Sequence, residues 1–249
     1  MPTTSWQVLQ LASRALWVPG DLPDRASVQT AGVRFVDPTE TEWERDAVVP
    51  TGTWRRLRTQ TSETTTLGFR TDRDVALMRL PTTAASLPEE CQVRSLGDVD
   101  RYFGRLTDAP GGSTTTIDPR TNLRLGLHLD NWDRLPVRLR HASRNRASVN
   151  LGPAPRAFLF VDLDVTAGHP PDVVPDTRST RRLLQNASDP PMLLRLVLAS
   201  GWAYIAPTEN LMHDGSSLDS CAAAVHVSAL GCFMPTRGAV DVTTAAVIA

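Results

Sequence analysis

Between residues 123 and 130 apolar and polar positions alternate with a strict period of two. Leu123, Leu125, Leu127 and Leu129 fall on one parity; Arg124, Gly126, His128 and Asp130 fall on the other. An extended chain sends successive side chains to opposite faces, so this spacing predicts a half-buried strand. Residues 147–151 and 157–165 read as two further strands. The second is apolar on both faces at Ala157-Phe158-Leu159-Phe160-Val161, the pattern of a strand central in its sheet. Strand character recurs at 33–35, 75–80, 202–205, 223–233 and 240–248, with Pro, Gly, Asp and Thr between the segments.

Helical spacing is confined to three places. Val8, Leu11, Ala12, Ala15 and Leu16 form an i, i+3, i+4, i+7, i+8 stripe, which predicts a helix over 4–17 with Thr4 or Ser5 as its cap and Pro19-Gly20 as its stop. Residues 177–185 form the second, and 192–200, after Pro190-Pro191, the third. The sum is a mainly β protein with flanking helices. Many short strands separated by turn signals favour a sandwich or barrel with Greek-key order. The segments 110–113 and 152–155 are loop punctuation, too short to separate distinct cores. A single domain over 1–249 is expected, with a helix and strands in 1–119 supporting a core in 120–249.

Composition narrows the function. Hydrophobic residues make up 41% of the 249 positions, enough to bury a sizeable core. No apolar run reaches the ~18 residues of a membrane helix, since the longest, 191–199, is broken by Arg195. Twenty-six basic against 27 acidic residues leave a net charge of −1, which argues against a nucleic-acid partner. All the basic residues are arginine, so a lysine Schiff base is excluded. Cys91, Cys221 and Cys232 contain no CxxC pair. Cys221 and Cys232 lie in an Ala/Val-rich stretch and are expected as small core residues. The opening Met1-Pro2-Thr3-Thr4 has no basic start or apolar run, so a cytoplasmic location is the expectation. No GxSxG elbow, P-loop or GxGxxG fingerprint is present.

The chemistry concentrates in His128-Leu129-Asp130. Positions i and i+2 of an extended segment share a face, so the imidazole and the carboxylate project together. His213, far along the chain at a strand-to-turn boundary, is the best third donor. Two histidines and one carboxylate form the facial triad that suits non-haem Fe(II) and leaves positions open. The plainer reading makes His128 and Asp130 a surface pair and has His213 bond a turn. Trp132 and Asp133 either line an entrance or pack over the strand end. Trp202, Tyr204 and His226 read as core, and His141 and His169 as solvated. Asp162 and Asp164 share a strand face and offer a weaker acid/base pair.

With this motif, an N-terminal helix and a β-rich middle, the chain resembles the Fe(II)/2-oxoglutarate-dependent oxygenases over residues 120–240. That resemblance implies a double-stranded β-helix (jelly-roll or cupin-like) core. It also implies Fe(II) held by His128, Asp130 and His213, with 2-oxoglutarate and O2 as co-reactants. The presence of Asp130 favours an oxygenase over a halogenase. Many members carry an arginine a short way beyond the distal histidine, to pair with the 2-oxoglutarate carboxylate. Here that window is Ala223-Ala224-Val225-His226-Val227, without an arginine, and Arg237 stands well past it. Arg140, Arg144 and Arg146 are the earlier candidates. Arg146 ranks first because it shares a strand face with Ser148 and Asn150, followed by Arg237 and Arg140.

The expected activity is hydroxylation, desaturation or cyclisation of a small specialised metabolite, with amino-acid derivatives among the candidates. A cupin-like metal enzyme that does not use 2-oxoglutarate is the alternative within enzymes. A non-catalytic β-sandwich binding protein is the alternative outside them.

Overall fold

A computed structural model describes residues 6–19, 28–57, 68–80, 82–189 and 191–235. The chain folds as strands β1 (Trp6–Gln10), β2 (Ala15–Pro19), β3 (Val28–Phe35), β4 (Val48–Arg56) and β5 (Val75–Arg79). Two short helices, α1 (Thr82–Ala85) and α2 (Glu89–Arg94), precede β6 (Gly97–Asp108). Then come β7 (Asn145–Asn150), β8 (Arg156–Val161) and α3 (Thr177–Asn186). The series ends with β9 (Leu193–Leu198), β10 (Trp202–Ala206), β11 (His213–Ser216) and β12 (Ala224–Phe233). A seven-stranded sheet runs β1-β2-β5-β10-β7-β12-β6, and a five-stranded sheet runs β11-β8-β9-β3-β4. Neighbours pair antiparallel except β2 and β5.

Three apolar layers explain why these segments are strands. Phe158, Phe160, Leu194 and Leu196 of the smaller sheet meet Leu16, Val18, Leu77 and Tyr204 of the larger one. On the far side of the larger sheet, Met78, Val149, Ile205 and Val227 pack under Val93 and Leu96 of the α2 region. On the far side of the smaller sheet, Leu159, Val161 and Leu193 pack against Leu127 and against Leu184 of α3. Strand β8, interior in the smaller sheet, is therefore apolar on both faces, as its sequence predicts. Helix α3 forms where expected, its first turn closed by a capping box between Asp176 and Ser179. Among the described residues no helix is long and apolar enough to cross a membrane.

Several expectations are corrected. Residues 6–19 form the hairpin β1–β2, not a helix, with Trp6 opposite Pro19 and Gln10 opposite Ala15. Its turn is held from outside: the Asp162 carboxylate accepts the N–H groups of Ala12 and Ser13 at 2.8 and 3.1 Å. A distant partner, absent from any local window, decides the conformation. Residues 193–198 likewise form β9, filling the slot between β8 and β3. An apolar run buried on both faces carries no period to tell strand from helix.

Residues 120–240, expected to contribute most of the strands, supply β7 to β12, as many as the β1 to β6 that precede them among the described residues. All three cysteines are exposed. Cys232 sits on β12 with its side chain outward while both neighbours in sequence are buried. Residues 4, 5, 237 and 240–248 lie outside the described residues.

Candidate metal centre

The alternating run 123–130 is not a continuous strand. It touches its neighbours through isolated bridges at Arg124 and at His128. Between them Gly126 adopts φ +66°, and a Cβ there would lie 2.6 Å from the Val48 carbonyl oxygen. Only glycine takes that turn without strain against a fixed backbone. The turn lets the Leu127 N–H donate to Val48 O at 2.7 Å and aims His128 inward. Alanine at Gly126 is expected to cost about 1–3 kcal/mol, read as a lower urea midpoint. An unchanged midpoint would show that the turn can relax.

His128 meets His213 across an antiparallel bridge, each backbone N–H donating to the other's carbonyl at 3.0 and 2.8 Å. The two imidazole centroids stand 4.7 Å apart. In both residues Nδ1 lies 2.9 Å from the carbonyl oxygen two positions back, Gly126 for one and Leu211 for the other. With Nδ1 donating, Nε2 keeps its lone pair for a ligand. Asp130 Oδ2 lies 3.8 Å from His213 Nε2, and one ligand atom from each of His128, Asp130 and His213 falls within 4.8 Å of the others. All three residues are buried or nearly so. The structure thus brings together the three residues the sequence nominates.

Charge states suit a cation. Burial pushes the His213 imidazole down to about 3, so it is neutral at pH 7. Burial also opposes ionisation of Asp130. The Arg146 guanidinium, followed by the two imidazoles, outweighs it and holds that carboxyl well below the usual carboxylate range. Behind His128 sits a second carboxylate, Asp214, whose Oδ2 is 3.8 Å from His128 Nδ1 and has no hydrogen-bond partner. Its Oδ1 is held by Thr116 and Gly215, while burial raises its pKa. The hydrogen bonds that orient the two imidazoles come from backbone carbonyls, Gly126 O for His128 and Leu211 O for His213.

The proposed anchors separate. Arg146, on β7, donates to Asp130 Oδ2 at 2.6 Å, and its Nη1 is 3.5 Å from Ser228 Oγ. It belongs to the centre. Arg140 does not: its guanidinium is spent on the carbonyls of Leu135, Glu209 and Pro175. Arg144 is taken by Asp133 and Asp100. Ser148 accepts from Arg156 at 3.1 Å and donates to Val227 O.

Arg156 is the residue that sequence reasoning missed. It opens β8, is 6% exposed, and lies 3.3 Å from Asp108 Oδ2. The Nε atoms of Arg146 and Arg156 are both buried without a partner. The sequence signal was available but faint: a charged residue heading a wholly apolar strand.

Other nominated residues serve the fold. Tyr204 stacks on Phe158 at 3.9 Å, within the core, and Trp202 packs against the same cluster. Asp162 pairs with Arg14, and Asp164 accepts from Thr166, so neither is an acid/base pair. His141 is exposed, as expected. His169 is half-buried rather than solvated, bridging Val165 O and Ser179 Oγ at 2.8 and 3.1 Å.

His226 faces Asp108 Oδ2 at 3.7 Å, with Arg156 and Arg146 nearby. Burial, then Arg156 and Arg146, pushes its pKa down to about 2. The unfolded chain therefore binds the extra proton first. Its contribution is whole above about pH 6.5 and is lost as the pH falls toward about 2, reaching roughly 2 kcal/mol at pH 5. Urea midpoints of metal-free protein should fall between pH 7 and pH 5, and less so in His226→Asn. Equal slopes in the two proteins would contradict this.

No protein-family model, curated protein or solved structure matches the chain. The functional reading therefore rests on the geometry.

Proposed function

We propose that this chain is a non-haem Fe(II)- and 2-oxoglutarate-dependent oxygenase of a small organic substrate, built on a double-stranded β-helix. The observation that carries the reading is the convergence of His128, Asp130 and His213 inside the fold. Two neutral imidazoles and one carboxylate are the donor set of such iron sites.

Topology supports the fold. From β6 onward, successive segments fall in the larger sheet, then on the edge of the smaller one, where His128 bridges β11. They continue larger, smaller, smaller, larger, smaller and larger through β12. The larger sheet's β6-β12-β7-β10 stretch then faces the 128 segment, β11, β8 and β9. A double-stranded β-helix winds in that order.

Charge counting supports the cosubstrate. Arg146 and Arg156 carry two buried positive charges, and Asp130 and Asp108 two negative ones. A divalent ion and a dicarboxylate bound together add +2 and −2, and so leave the charge of these two ion pairs and of the nearby Asp214 unchanged. When bound, the iron with 2-oxoglutarate supplies oxygen activation coupled to formation of succinate and CO2. The chain's part is to hold and orient. Arg146 keeps Asp130 ionised and in place. Arg156 offers the donor to the distal carboxylate, its Nε buried without a partner and its Nη1 held by Ser148 Oγ. Phe158, stacked on Tyr204, sets apolar surface beside the His213 imidazole at 5.8 Å.

The test is succinate formation from 2-oxoglutarate in air with Fe(II), against His213→Ala. Iron-dependent succinate lost in the variant is expected. Arg156→Gln should raise the 2-oxoglutarate requirement by on the order of tenfold or more. Iron binding without succinate would favour the cupin-like alternative, and no iron binding at all the non-catalytic binding protein.

A further inference from the structure

Strand β6 departs from regular pairing with β12 at two points. Register shifts fall between Ser228 and Ala229 and between Leu230 and Gly231, leaving Phe103 and Asp100 as the extra residues. Gly104, beside the first, has φ +84°. Bulges re-aim side chains, and they are frequent at the rims of sites. Here they carry Arg101 and Phe103 toward the metal centre. The Arg146 guanidinium lies 4.7 Å from the Phe103 ring while its Nη2 donates to Asp130 Oδ2. Phe103 in turn meets Trp132, two residues beyond Asp130, at 5.5 Å. The Arg101 guanidinium lies 4.3 Å from the Trp132 ring and 5.4 Å from that of Phe103. A continuous row of contacts thus leads from the buried carboxylate to the surface.

Two properties of the outer end point to a ligand. Trp132 is 44% exposed although its backbone is fixed, its N–H donating to Glu209 Oε1 at 2.8 Å. Arg101 is exposed and has no carboxylate partner among the described residues. Asp100, next to it in sequence, and Asp133, next to Trp132, are both engaged by Arg144. An exposed indole and an unneutralised guanidinium, side by side at a site rim, match a molecule with a planar apolar part and an anionic group.

We infer that Arg101, Trp132 and Phe103 form the substrate-recognition rim, and that the substrate is an organic acid whose carboxylate lies a few bonds from a planar or aromatic group. The carboxylate pairs with Arg101 and the planar part lies along Trp132 and Phe103, which aims the rest of the molecule at the centre. This rests on the metal-centre reading above for its catalytic meaning, though not for the binding itself.

The experiment uses the full chain labelled with 5-fluorotryptophan, the Trp132 signal being the one lost in Trp132→Phe. Phenylacetate and phenethylamine present the same ring with opposite charge. Phenylacetate should shift the Trp132 signal saturably, and phenethylamine should not. Arg101→Gln should weaken phenylacetate by about tenfold or more, and Arg101→Lys by less. The other tryptophan signals, unmoved in these surface variants, report an intact fold. A response to both probes alike, to neither, or one unaltered in Arg101→Gln overturns the inference. Mn2+ provides the separate arm: one equivalent should broaden the Trp132 signal, and not in His128→Ala. Absence of broadening would defeat the metal reading while leaving the probe result to judge the rim.

Discussion

Alanine in place of His213 is expected to remove measurable Fe(II) binding, weakening it by at least about 100-fold. Losing even an outer hydrogen-bonding supporter of a ligand costs about 10- to 100-fold, and His213 is itself one of three donors. The remaining pair, His128 and Asp130, comes from one segment and cannot surround an ion from two sides. The variant should stay folded, because His213 is a neutral imidazole whose backbone bridge to His128 survives the change. Anaerobic calorimetry with Fe(II), or the visible spectrum with Co(II), reads the loss directly. Wild-type protein should also gain thermal stability with added metal, as linkage requires, and the variant should not. Equal affinity in both proteins would remove His213 from the centre. Asp130→Ala is a poorer probe, since it strands the buried Arg146 guanidinium and confounds binding with stability.

The largest loss of stability is expected from Phe158→Ala. Phe158 is 1% exposed in the middle of β8, stacked on Tyr204 at 3.9 Å and on Phe160 at 5.8 Å. Truncation of a buried phenylalanine costs about 3–5 kcal/mol, the lost transfer energy plus the cavity left behind. For a chain of this size each kilocalorie lowers Tm by about 2–4 °C, so a fall on the order of 10 °C is expected. The same ring lies 5.8 Å from the His213 imidazole, which ties core packing to the metal centre. Metal affinity should therefore weaken in Phe158→Ala, and recover in Phe158→Leu, which restores most of the volume. A Tm within about 2 °C of wild type would mean that the core collapses around the gap.

The motif was legible because its signal is local. His128 and Asp130 need only an extended backbone to share a face, and the bridge at His128 supplies that without a full ladder. The partner histidine is legible from residue type alone: the Gly/Ser segment read as a turn after it is strand β11, and its bridge to His128 is not visible in the sequence. β8 is legible for the same local reason, an unbroken apolar run; residues 177–185 read as helical, while the Asp176–Ser179 capping box of α3 appears only in the structure. The hairpin β1–β2 is not legible. Its apolar positions satisfy a helical stripe and also two short strands, and the deciding contact comes from Asp162, far along the chain. Leu193-Leu194-Arg195-Leu196 has no period at all, so residues 192–200 read as a helix where β9 forms. Arg156 escaped notice because its role depends on Asp108 and Ser148 arriving from two other strands. Cys232 is expected inside because its neighbours are; it is exposed near the end of β12, just past the register shift at Leu230/Gly231.

One backbone bridge joins the two ligand-bearing segments, at His128 and His213, which are far apart along the chain. Its consequence lies in kinetics. In the unfolded ensemble the donors sit at the ends of a long loop, and closing it costs entropy that grows with the logarithm of its length. β11 must dock on β8 before the donors meet, so the ion joins an assembly already made. A link absent from the folding transition state leaves the refolding rate nearly untouched and slows unfolding instead. The metal would then act as a latch, setting how long the native chain lasts and not how fast it is reached.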